Sequence, residues 1–578
     1  MISFCVWAPH AKQVEVKIGS DLFGMAAGED GWWFVEIHLD GAGIDYAFVI
    51  DRGDALPDPR SLWQPNGIHG PSRTVDHAAF RWTDQQWRAG PLSSATFYEL
   101  HVGTFTREGT FIAAIDKLDY LADLGVTHIE LMPIAEFSGS RGWGYDGVDL
   151  YAPHHFYGGP DDLKRLVDAC HARGLAMILD VVYNHLGPVG NYLARFGPYF
   201  TQRYATPWGQ AMNFDAAGSD EVRRFLCDNA LMWLRDYHFD GLRIDAVHTI
   251  LDASAVHFLE QLACEVTDLK AQTARHLALI AESDLNDPRV VRQREIGGYG
   301  IHAQWSDDFH HALHCVLTGE RTGYYADFGS LADLAKALQH AFVYDGRYSA
   351  FRRRRHGRAP SELPGHSFLG YLQTHDQIGN RAKGERSSYL MNVGRLKIGA
   401  ALVLTAPFIP MLFQGEEWGA TSPFLYFTDH QDPELARNVT EGRRREFAAF
   451  GWNPEDIPDP QAVETFERSK LNWSERDKAP HAGLLAWHRS LIQLRREIPG
   501  LSDGRLDRIR VNFDENARWL VVKRGALVVA CNLNQITQRV PGGIELKSRL
   551  LLRSDNKAQL IQDTVELPPD SVAILSTR

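Results

Sequence analysis

The sequence predicts a multidomain α/β protein, a (β/α)₈ TIM barrel flanked by N-terminal and C-terminal β-sandwich domains. Three observations carry that prediction. Eight short apolar runs fall at 96–100, 128–131, 176–182, 241–245, 277–282, 302–305, 368–374 and 410–413, and most are followed by an amphipathic helical pattern. Outside them the rhythm changes to period-two strands divided by turn residues. At 578 residues the chain exceeds one ordinary core, and eight strand–helix units over about 400 residues match a barrel with insertions.

The elements follow in order. Val14, Val16 and Ile18 alternate with Glu15 and Lys17, 34–39 repeats the pattern, and Gly, Asp and Pro break the runs, so 1–90 is expected to be a β-sandwich. The Pro- and Gly-dense stretch 54–72 is an irregular excursion within it, and 89–91 is a linker. Helices are expected at 111–124, 160–173, 219–237, 253–267, 393–404 and 481–496, filling a barrel over 91–500. Connections 137–159 and 183–218 are too long for a minimal barrel and rich in Gly, Pro and aromatics, as loops lining a site are. A third insertion, 324–364, carries Arg352, Arg353, Arg354 and Arg355, which read as a solvated basic loop. Strand patterns at 519–523, 526–532 and 571–576 make 501–578 a second sandwich. A doubly wound open sheet would instead place a Gly-rich phosphate turn after the first strand, and His101-Val102-Gly103-Thr104-Phe105 is not one.

Composition narrows the partners. The net charge of −13 repels phosphate backbones and anionic lipid, which argues against nucleic acid and membrane surfaces and for a neutral substrate. Fifteen Trp, 19 Tyr and 29 Phe supply flat faces of the kind sugars use, although core packing is the ordinary role of any one of them. Six cysteines lie scattered without C-x-x-C pairs or zinc-like spacing and read as reduced, buried thiols. Residues 1–9 do not read as a secretion signal, and Thr405, Pro407 and Pro410 interrupt the most apolar stretch, 398–413, so the expected location is the cytoplasm.

In such a barrel the C-terminal strand ends share one mouth. Four polar clusters meet there: Asp180 to His185, Arg243 to Asp245, Glu282 to Asp284, and Gln373 to Gln377. Each alone reads as a helix cap or a loop ion pair; four together point to chemistry. At period two Arg243 and Asp245 share a strand face, so the arginine keeps the acid ionised and fit to attack an electrophilic carbon. Glu282, ending an apolar strand, is raised by desolvation and serves as acid/base, and Asp376 orients the ring hydroxyls. Two carboxylates straddling a glycosidic bond suffice for hydrolysis, and with Asp245 as nucleophile the mechanism is retaining, with the two carboxyls about 5–5.5 Å apart. His185 and His375 donate hydrogen bonds to the same sugar.

Regions 180–185, 241–248, 278–284 and 372–377 resemble the four signature regions of the α-amylase superfamily of glycoside hydrolases and transferases. The resemblance implies Asp245 as nucleophile, Glu282 as acid/base and Asp376 as transition-state stabiliser, with Arg243, His185, His375 and Gln377 around the sugar and Tyr145 stacking on it. The N-terminal sandwich, with Trp7-Ala8-Pro9, is similar to a glycogen-binding module. Segments 98–105 and 145–148 are shared with glycogen branching enzymes, whereas 281–286, 304–311 and 423–430 are similar to the maltooligosyltrehalose trehalohydrolase family. That resemblance implies hydrolysis of the α-1,4 bond next to the terminal trehalose of maltooligosyltrehalose. The alternatives are a branching transferase with the same nucleophile and acid, and a non-catalytic glucan-binding protein, which should have lost one of the three acids.

No cofactor and no metal are expected. Many amylases bind calcium through an asparagine at the place of Asn184 with further ligands from a long domain after strand three, but the 183–218 loop is shorter than such a domain and Thr249 stands where a histidine is usual. One oxygen ligand is far short of the roughly six to eight calcium takes, and Asn184 reads as an internal hydrogen-bond partner. His310 and His314 have zinc-ligand spacing on a probable helix but no evident third ligand, and read as partly exposed helix histidines near the trehalose end. His248 is placed on the leaving-group side of the bond or, equally, as a structural rim histidine.

Overall fold

In the computed structural model, which describes residues 1–39, 43–206, 209–360, 362–449, 452–541 and 548–577, eight parallel strands close into a barrel. They are β1 (Phe97–Leu100), β2 (His128–Leu131), β3 (Ala176–Val181), β4 (Gly241–Ile244), β5 (Ala278–Ala281), β6 (Ala303–Trp305), β7 (Phe368–Tyr371) and β8 (Ile409–Phe413), paired in chain order with β8 returning to β1. Every strand is buried along its length, which is why each reads as an apolar run rather than an alternation. Gly241 opens β4 because a Cβ there would lie 2.5 Å from the Ala278 carbonyl oxygen of β5.

The helices pack outside. Pro160–His171 starts on Pro160, whose missing N–H costs nothing at the first position, with Asp161 and Asp162 at the positive end of the helix dipole. Ser219–Arg235 turns Val222, Leu226, Ala230 and Trp233 inward at helical spacing. Two expected helices differ. The 111–124 pattern is two helices, Phe111–Ile115 and Leu118–Leu124. The helix expected from 253 begins at Phe258, because the Asp252 carboxylate accepts the N–H groups of Ser254 at 2.8 Å and Phe258 at 2.7 Å and holds the intervening turn.

The long connections are structured. The 183–218 loop holds a short helix, Leu193–Phe196, and the hairpin Phe200–Thr206 with Gly209–Met212. The 324–364 insertion holds helix Leu331–His340 and the hairpin Asp345–Ser349 with Arg354–Gly357. Two antiparallel sheets precede the barrel, one around Ile2–Trp7 and Trp32–Ile37, the other around Val14–Ile18 and Asp45–Ile50. Two more follow it, one built on Trp519–Arg524, Leu527–Asn532 and Ser571–Ser576, the other on Gln538–Pro541 and Thr564–Leu567. All six cysteines are free; four are buried as expected, whereas Cys5 is exposed and Cys264 half-buried. Among the described residues no helix is long and apolar enough to cross a membrane.

Candidate active site

Arg243 of β4 is the centre of the barrel mouth. Its side chain is fully buried, and Nη1 donates to both oxygens of Asp180, at 2.9 and 2.8 Å, and to Oδ1 of Asp245 at 2.8 Å. Nη2 lies 3.7 Å from Glu282 Oε2, and the guanidinium sits 4.3 Å over the Trp305 ring. Burying a lone cation is costly, but here the carboxylates of Asp180, Asp245 and Glu282 outweigh burial and hold Arg243 charged, its pKa above the usual arginine range.

Asp245 stands one residue past the end of β4 and is fixed through both oxygens. Oδ1 accepts from Arg243, while Asn184 Nδ2 donates to Oδ2 at 2.8 Å and to the Asp245 main-chain oxygen at 3.0 Å. Ala246, the next residue, has φ of 41°, in the left-handed region that L side chains avoid. Such a conformation costs about 1–3 kcal/mol and persists where the surroundings over-determine it. It turns the Val247 N–H onto the Glu282 carbonyl at 3.0 Å, beside the Ala246 N–H, which donates to Glu282 Oε2 at 2.6 Å. Strain at the end of β4 thus positions the acid at the end of β5. Burial raises the Glu282 carboxyl well above its usual range, and the carboxylates of Asp245 and Asp376 add to this against the pull of Arg243.

Asp376 follows β7 on the one-turn helix His375–Gly379, with its side chain 38% exposed toward the mouth. Its neighbour His375 is buried in a relay. Glu99 of β1 accepts from His375 Nδ1; His375 Nε2 meets the Tyr145 hydroxyl at 2.8 Å, and that hydroxyl donates to Asp180 Oδ2 at 2.6 Å. The Tyr145 ring lies at 23° to His375, centroids 5.2 Å apart. Burial disfavours a charged His375, but Asp376 and Glu99 outweigh it and raise its pKa to about 9. A folded-state value above the unfolded one of about 6.5 stabilises the fold fully below that pH, and this contribution, about 3 kcal/mol, is lost as pH rises through 9. Urea unfolding is therefore expected to show wild type losing stability between pH 6 and 9.5 relative to His375→Gln. Parallel pH dependences would remove the charged imidazole from the relay.

The other expected residues divide. His185 is buried, with Nδ1–H donating to Asn184 Oδ1, so it supports the Asp245 clamp. His248 lies on a single turn after β4, its Nε2 3.9 Å from Asp284 Oδ1 at the rim. Gln377 uses its side-chain oxygen to cap the 375–379 helix, accepting from Thr374 N–H at 2.9 Å. The basic run is not uniformly solvated: Arg353, Arg354 and Arg355 are exposed, but Arg352 donates to Asp284 Oδ2 at 3.0 Å and His356 contacts the Asp284 carbonyl at 2.6 Å. His310 and His314 are buried rather than partly exposed; His310 meets the Tyr325 hydroxyl at 3.0 Å and His314 the Glu320 carboxylate at 2.7 Å. Sequence reasoning missed Glu99, Trp305 and Asp307 as parts of the mouth. Asp307 follows β6, accepts from the Tyr371 hydroxyl at 2.5 Å, and is pushed up to about 7 by burial and by the nearby acids Asp284, Asp376 and Asp308. Its place at a strand end was the available signal.

Residues 75–205 match the α-amylase catalytic domain, and 504–574 a domain of unknown function, DUF3459. The malto-oligosyltrehalose trehalohydrolase of Mycobacterium tuberculosis is 50% identical over 97% of this chain and 98% of its own, and that of Rhizobium sp. is 48% identical over 99% and 97%. The chain belongs to the malto-oligosyltrehalose trehalohydrolase family. As a family member it is a glycoside hydrolase of the α-amylase type. A crystal structure from Salmonella typhimurium, described as a putative α-amylase, has a TM-score of 0.91 at 39% identity, covering 99% of this family member and 97% of that chain.

Proposed function

We propose that the protein hydrolyses the α-1,4-glucosidic bond adjacent to the terminal trehalose of maltooligosyltrehalose, releasing trehalose and a maltooligosaccharide by a retaining mechanism in the cytoplasm. The observation that carries the mechanism is a single buried guanidinium facing both carboxyls, with Asp245 clamped through both oxygens and Glu282 raised by burial. Asp245 attacks the anomeric carbon and forms the glycosyl-enzyme. Glu282 first gives its proton to the leaving oxygen, then takes one from the incoming water, which breaks the covalent bond. Asp376, open to the mouth, orients ring hydroxyls, Tyr145 offers its face to the sugar, and His375, bonded on Nδ1 to Glu99 and on Nε2 to the Tyr145 hydroxyl, fixes that ring in place. Arg243, His185 and Gln377 act through these groups, and His248 stands on the leaving-group side.

The trehalose assignment rests on the named relatives. We assign residues 1–90 to a glycogen-binding-like sandwich, 91–500 to the catalytic barrel and 501–578 to the C-terminal sandwich. Incubation with maltooligosyltrehalose is expected to release free trehalose, and incubation with amylose to leave its branching unchanged. New α-1,6 branches in the second reaction would make the protein a branching transferase, in which a sugar hydroxyl replaces water.

A further inference from the structure

The 137–153 loop, which carries Trp143 and Tyr145 into the mouth, is closed at its neck by a short ladder of Ala135–Glu136 against Asp149–Pro153. Beside that ladder three metal-ligand side chains converge. Glu136, from one side of the neck, and His154 and His155, from the other, bring one ligand atom each to within 4.8 Å of one another. Glu136 Oε1 lies 2.8 Å from His155 Nδ1, and Glu136 Oε2 lies 3.4 Å from His154 Nδ1. Donors around a tetrahedral zinc ion stand roughly 3.3 Å apart, given its metal–ligand lengths of about 2.0–2.2 Å, close to the 3.4 Å between Glu136 Oε2 and His154 Nδ1, while the 2.8 Å contact of Glu136 Oε1 with His155 Nδ1 is a hydrogen bond that an ion would replace.

A second observation points to a ligand. The His154 side chain is 0% exposed, stacks on Phe137 at 3.7 Å, and has neither ring nitrogen in a hydrogen bond, the Glu136 carboxylate standing 3.4 Å from Nδ1 outside bonding geometry. A fully buried imidazole normally has a partner for at least one nitrogen. His155 is 21% exposed, which leaves a path from solvent.

We propose that Glu136, His154 and His155 bind a divalent transition metal, zinc by donor type, that clips the two ends of the 137–153 loop together. Two imidazoles and one carboxylate suit such an ion and not calcium or magnesium, which take mostly oxygen ligands. The site lies outside the catalytic carboxylates and is independent of the hydrolytic assignment. Its effect is structural: closing the loop at its neck limits the conformations of the segment that holds Tyr145.

The test uses the full-length protein, treated with a chelator and titrated with Zn²⁺, with Ca²⁺ as control. Calorimetry is expected to give one Zn²⁺ site and none for Ca²⁺, with a raised Tm and slower hydrogen exchange in 137–153. Glu136→Gln and His155→Ala are expected to weaken the site by at least about 100-fold. His155→Ala, at a partly exposed position, keeps the test available if the buried Glu136→Gln variant does not fold. Failure of Zn²⁺ to bind, binding undiminished in His155→Ala, or exchange in 137–153 unchanged by the ion would each overturn the proposal.

Discussion

Asp245→Asn is expected to lower kcat on maltooligosyltrehalose by at least about 10⁴-fold while the protein stays folded. The amide keeps the shape of the carboxylate and one of its two acceptor oxygens, so Oδ1 can still bond Arg243 while the new NH2 faces the Asn184 amide, which can turn its own oxygen toward it. It cannot form the glycosyl-enzyme, and without that intermediate the reaction must proceed by a single displacement for which no second base is placed. The fold is protected because Arg243 keeps Asp180, which accepts through both oxygens, and Glu282 nearby. Circular dichroism and a Tm close to wild type establish folding, and single-turnover assays with trapped intermediate establish the step lost. A variant retaining a tenth of wild-type turnover would mean that another group is the nucleophile.

Glu282→Gln is expected to act differently, and the pH profile distinguishes it. Loss of the general acid should reduce kcat/KM by about 10²–10⁴-fold. Wild-type activity should fall on the alkaline side, because Glu282 must be protonated to serve the leaving oxygen and burial sets its pKa well above the ordinary carboxyl range. The sign follows from the shift: the reactive form is present below the raised pKa and lost as pH rises through it. Glutamine does not titrate, so the alkaline limb should vanish in the variant. An activated leaving group, which needs little protonation, should recover much of the loss. A variant that keeps the alkaline limb would place the titrating acid elsewhere, and Asp307, pushed up to about 7, would be the next group to replace.

Much of this site is legible in the amino-acid sequence. The eight strands announce themselves because each is buried on both faces, and the strand-end rule then groups Asp245, Glu282 and Asp376. Less legible is whatever depends on the partner of a polar side chain. Arg352 reads as one of four like charges in a row, yet its position relative to Asp284, 68 residues away in sequence, removes it from the solvated group. His310 and His314 carry zinc-ligand spacing along their helix, but Tyr325 and Glu320 each occupy a nitrogen of one of them. Periodicity misplaces the start of the helix after β4 because it does not register the Asp252 turn.

Glu99 and Glu136 mark the boundary most clearly. Both lie in or beside apolar barrel strands, where a lone glutamate carries no periodic signal, and both gain their meaning from histidines far along the chain or across a loop neck. The order of residues by itself determined the barrel, its flanking sheets and the three acids, since burial period and strand termini are local properties written into neighbouring positions. Only the tertiary structure decided which groups clamp, charge or position those acids, because electrostatic and hydrogen-bond partnerships depend on distances across the fold. The left-handed turn at Ala246 is such a case: nothing in an alanine announces positive φ, and it is the pairing of the β4 end with Glu282, through the N–H groups of Ala246 and Val247, that holds it there.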